Sequence, residues 1–98
     1  MQLVEILLPV TEGEGVRPEV DALGKLLTDK FGGLTAFVRS PGKGLWDDAG
    51  AVQRDDVVVL EVMTEELDRD WWRELRLGLQ DRLHQKEIVM RTHAVEML

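Results

Sequence analysis

Val57-Val58-Val59-Leu60-Glu61-Val62-Met63 is the stretch on which the fold turns. Four aliphatic residues stand in succession, and valine dominates. The run is short, rich in β-branched side chains and free of helical periodicity, so it reads as a strand. Side chains alternate along a strand. Val58, Leu60 and Val62 therefore belong to one face, and Val57, Val59, Glu61 and Met63 to the other.

Upstream, residues 40–55 carry Pro41, Gly42, Gly44 and Gly50 and read as a long loop or irregular hairpin arm. Leu34 to Arg39 precedes it as a second strand. Before that, Val20, Leu23, Gly24, Leu27 and Phe31 recur at helical spacing. Pro18 suits the first turn of this helix, and Gly32-Gly33 supplies the left-handed residue that stops it. Residues 11–17 are polar and carry Gly13 and Gly15, a loop. Residues 2–10 make the first strand, with Val4, Ile6, Leu8 and Val10 on one face and Leu3, Glu5 and Leu7 on the other.

Downstream, Asp68 is the expected N-cap of a second helix. Trp72, Leu75, Leu79 and Leu83 mark its apolar stripe, with Trp71 beside it and Gly78 placed for close approach to the sheet. His84 belongs to the end of that helix. Glu87 to Glu96 is the fourth strand, with Ile88, Met90 and Ala94 on one face and Val89, Arg91, His93 and Val95 on the other.

The expected architecture is α+β: a single ferredoxin-like domain over residues 1–98, in the order β-α-β-β-α-β. Right-handed crossovers give a four-stranded antiparallel sheet of order 4-1-3-2 with two helices on one face.

Composition narrows the function classes. The chain has 98 residues, 44% hydrophobic and 32% charged, which is globular rather than disordered. The net charge is −7, and the basic residues are interleaved with acids. That is the wrong footprint for a nucleic-acid binder. No apolar run is long enough to span a bilayer. The first residues lack the basic region of a signal peptide, and there is no cysteine, so a cytoplasmic protein without thiol chemistry is expected.

The uncovered face of the sheet is the informative one. Such faces are commonly polar, yet this one carries Leu3, Leu7, Val57, Val59, Met63, Val89 and Val95. Those side chains expose on the order of several hundred Å², and a patch that large marks an interaction surface. A second copy of the chain is the simplest cover, giving a homodimer through the outer sheet face. Glu5, Glu61, Arg91 and His93 share that face. In one reading they pair with each other and fix the interface. In the other they line a cleft, where His93 acts as acid or base, Glu5 or Glu61 orients it, and Arg91 holds a small anionic ligand. Arg39, Lys43 and Trp46 are further candidates for ligand binding, on a loop placed to act as a lid. That loop does not match the phosphate-binding Gly-x-x-x-x-Gly-Lys-Ser/Thr pattern. His84 and His93 lack zinc spacing, and neither a metal nor another cofactor is expected.

One resemblance is visible. Phe31-Gly32-Gly33-Leu34-Thr35, then Gly44-Leu45-Trp46 and Gly50, then Asp56-Val57-Val58-Val59-Leu60-Glu61, resembles a group of small uncharacterised bacterial proteins of the dimeric α/β-barrel type. The resemblance implies a ferredoxin-like fold and no particular activity. The wider superfamily includes small monooxygenases, decarboxylases and sensory modules.

Two functions follow as expectations. The first is a homodimeric module that binds a small ligand or a partner. The alternative is a small cofactor-free enzyme using a His/carboxylate pair in a sheet-face cleft. A structural subunit of a larger complex is a third reading.

Overall fold

The computed structural model describes residues 1–10, 16–32, 35–39 and 56–98. In chain order the elements are β1 (Gln2–Val10), α1 (Val16–Phe31), β2 (Thr35–Arg39), β3 (Asp56–Thr64), α2 (Arg69–Arg82) and β4 (Val89–Ala94). They form one sheet with hydrogen-bonded order β2-β3-β1-β4 and antiparallel neighbours throughout. These are the neighbours of the expected order, counted from the opposite edge.

The expectation of a regular ferredoxin-like plait nevertheless needs correcting in the extent of its strands. β1 pairs with β3 along its whole length, and with β4 only from Gln2 to Leu7. β2 adds five residues at the far edge, where it meets β3 alone. β4 is Val89–Ala94, not the ten residues expected. The reason is local. The Ile88 N–H donates to Gln80 Oε1 of α2 at 3.0 Å, so it is tied to a side chain and the ladder starts one residue later. Pro9 falls past the end of β4, where β1 has a single neighbour and a missing N–H is tolerated.

The core lies between the sheet and the helices. β1 contributes Val4, Ile6 and Leu8, and β3 contributes Leu60 and Val62, each at most 1% exposed. Leu23 and Leu27 of α1 and Trp72 and Leu79 of α2 join the same cluster. Both helices therefore bury their stripes on one face of the sheet. Phe31 stacks on Trp72, ring centroids 5.2 Å apart, and meets Trp71 edge-on at 5.5 Å. This aromatic cluster fastens the end of α1 to the start of α2. Arg82 Nε and Glu19 Oε2, 3.1 Å apart, link the opposite ends of the helices.

The helix ends follow their sequence signals with one exception. Asp68 caps α2 by accepting from the Trp71 N–H at 3.2 Å. Gly32 stops α1 at φ 77°, with its N–H on the Thr28 carbonyl. α1 begins at Val16, so Pro18 is its third residue, still within the turn whose N–H groups have no helical partner. His84 plays an unexpected part. At φ 52° it takes the left-handed position where glycine is usual. The Gln85 N–H reaches back to Gln80 O at 2.9 Å and the His84 N–H to Asp81 O at 3.3 Å, which closes the helix end. Gly78 is not a close-approach site to the sheet: a Cβ there would meet only the flexible guanidinium of Arg82.

Candidate functional site on the outer sheet face

Register arranges the outer face in rows across the strands. One row runs Thr35, Glu61, Glu5, Arg91. The next runs Phe37, Val59, Leu7, Val89, and on the other side Met63, Leu3 and His93 stand abreast. A charged row thus lies between an apolar one and a mixed one.

Glu5 is the centre of the charged row. Its side chain is 12% exposed. Arg91 Nε donates to Glu5 Oε1 at 3.3 Å, and His93 Nδ1 lies 3.6 Å from the same oxygen. The guanidinium and the imidazole are each about half exposed, 55% and 53%. Glu61 sits directly opposite Glu5 on β3. Among the described residues it has no ion pair. Two carboxylates facing across strands repel, and Arg91 offsets this from one side only.

The alternation in sequence thus brings Glu5, Arg91 and His93 together and sets Glu61 next to them. A 3.6 Å separation is longer than a working acid–base hydrogen bond. Two grooves among the described residues lie on the helix side, one of them bordered by Arg91. Among the described residues no group of three or more His, Asp or Glu side chains is arranged to hold a metal ion. Among the described residues the arrangement orders charge within the sheet face, with the His93 and Glu5 side chains 3.6 Å apart.

The apolar part of the face is narrower than the sequence suggests. Met63 and Val89 are exposed, at 48% and 45%, while Leu3, Leu7, Val57 and Val95 are half-buried. Val59 is only 2% exposed although it stands outside the helix-side cluster. It cannot be counted in an open patch. Lys43 and Trp46, with the rest of the 40–55 connection and the side chain of Arg39, lie outside the described residues.

Compared with known proteins, the chain matches no family model and no curated sequence. No described helix is long and apolar enough to cross a membrane.

Sequence reasoning passed over a second feature. Arg69, Arg73 and Arg76 on α2 line a groove beside β4, together with Trp72 and Met90. Their spacing, four and then three residues, places them on one helix flank. The signal was present in the sequence, hidden beside the apolar stripe of Trp72, Leu75 and Leu79.

Proposed function

We propose that the chain is a non-catalytic binding module that works as a homodimer, pairing through the outer face of its sheet. The observation that carries this reading is the make-up of that face. Met63 and Val89 stand exposed on either side of the row in which Glu5 is already shielded and Arg91 remains half open, and His93, also half open, stands in the row of Met63. A face of this kind suits a second copy, because it is self-complementary. It offers a half-open cation at Arg91, a half-open imidazole at His93, and an anion at Glu61 without a described partner. In a twofold pair each copy supplies what the other lacks, and the apolar rows meet. The charges would set the register of the pair and add little to its affinity.

The enzymatic alternative draws less support, because His93 and Glu5 are 3.6 Å apart, beyond hydrogen-bond reach. Sedimentation equilibrium at micromolar concentration tests the proposal. The expected mass is twice the 11.1 kDa of one chain. A single-chain mass across that range removes it.

A further inference from the structure

The groove between α2 and β4 lies on the helix side of the sheet, away from the face just discussed. It has a volume of about 200 Å³. Its floor is apolar, made by Val4, Leu67, Trp72 and Met90. Three guanidinium-bearing side chains, Arg69, Arg73 and Arg76, line it from α2. Arg91 borders it from β4 while its guanidinium pairs with Glu5 on the outer face.

This concentration of positive charge is unusual in a chain of net charge −7. It is also placed against local preference. Arg69 and Arg73 are like charges four residues apart, which repel on a helix surface. Both lie near the start of α2, where the helix dipole is already positive. Compensation is thin. Asp70 is 3.6 Å from Arg73, but that pair is open to water, 61% and 90% exposed. Arg76 Nη1 donates to the neutral Gln80 Oε1 at 3.0 Å. Among the described residues Arg69 has no ion pair.

We propose that this groove binds a small organic anion: a phosphate or carboxylate head held by the Arg69, Arg73 and Arg76 guanidinium groups, with a compact apolar body against Trp72 and Met90. Guanidinium forks match the oxygen geometry of such heads. The volume falls below the range of sites for drug-sized ligands, so the body is no larger than about one ring. The site stays open in a dimer built on the opposite face, so it does not depend on that dimer.

Phenyl phosphate is the probe, titrated into the isotopically labelled full chain and followed by NMR. Saturable shifts are expected at the Trp72 indole N–H and the Met90 and Thr92 amides, with a Kd on the order of a millimolar or tighter. Inorganic phosphate, which lacks the apolar body, is expected to bind at least about tenfold more weakly. The exposed pair Arg69→Gln/Arg73→Gln should weaken phenyl phosphate about tenfold or more and leave the thermal midpoint in place. Three results would each overturn the proposal: no saturable shift at these positions, equal affinity for inorganic phosphate, or undiminished binding by the double variant.

Discussion

Replacing Trp72 with alanine is expected to destabilise the chain by about 3–5 kcal/mol. Trp72 is 5% exposed, stacks on Phe31 with an interplanar angle of 14°, and meets Trp71 at 4.8 Å between centroids. With Leu79 it carries α2 into the core shared with β1 and β3, and it is the larger of the two side chains. Truncation removes its burial and leaves a cavity that the neighbouring Phe31 fills only in part. A domain of this size has only about 5–15 kcal/mol of stability. The loss therefore lowers the melting temperature by roughly 15–30 °C. Trp71→Ala is the matched comparison. Trp71 is half-buried at the edge of the cluster, beneath the Lys30 ammonium 4.6 Å from its ring, and its loss should cost about 1–2 kcal/mol. Thermal melts followed by circular dichroism measure both. Equal costs would mean that α2 is not seated through Trp72.

Val89→Arg is expected to split the dimer without unfolding the chain. Val89 is 45% exposed and ends the apolar row that runs through Val59 and Leu7. An arginine is readily solvated at this position in a single chain, so folding changes by less than about 0.5 kcal/mol. Within a paired face the same charge is desolvated without a partner. Such a penalty is about 3 kcal/mol or more, which weakens association by a factor above about one hundred. Light scattering after gel filtration should give the mass of two chains for the native protein and of one for the variant, with matching circular dichroism spectra. A variant that retains the native dimer mass would place the interface elsewhere.

The alternation of side chains made much of the sheet readable before any coordinates. Val57 to Met63 assigns Leu60 and Val62 to the core and Glu61 to the far face, and Glu5 and Arg91 follow from the same period of two. Asp68 as a cap was equally legible, because a short carboxylate before a run of helix-spaced apolar residues has one obvious use. Other features depend on contacts that no local pattern encodes. The late start of β4 follows from the bond between the Ile88 N–H and Gln80, eight residues apart. The left-handed His84 breaks the rule that assigns such positions to glycine. The burial of Val59 contradicts its face assignment only in degree: the register keeps its parity, and its 2% exposure removes it from the open patch. At the candidate site, the sequence placed Glu5, Arg91 and His93 on one face but carried no information on separation, and 3.6 Å is what weighs against acid–base work. The arginine flank of α2 was readable by spacing alone, yet the groove it lines depends on how α2 lies against β4.

The pairing of outer sheet faces is tested most directly by mixing isotopically labelled and unlabelled chains and recording contacts between copies by filtered nuclear Overhauser spectroscopy. Methyl groups of Leu7, Met63 and Val89 should show cross-peaks to the same rows of the other copy. Cross-peaks confined to residues of α1 or α2, or none between copies at concentrations where the native protein is studied, would contradict it.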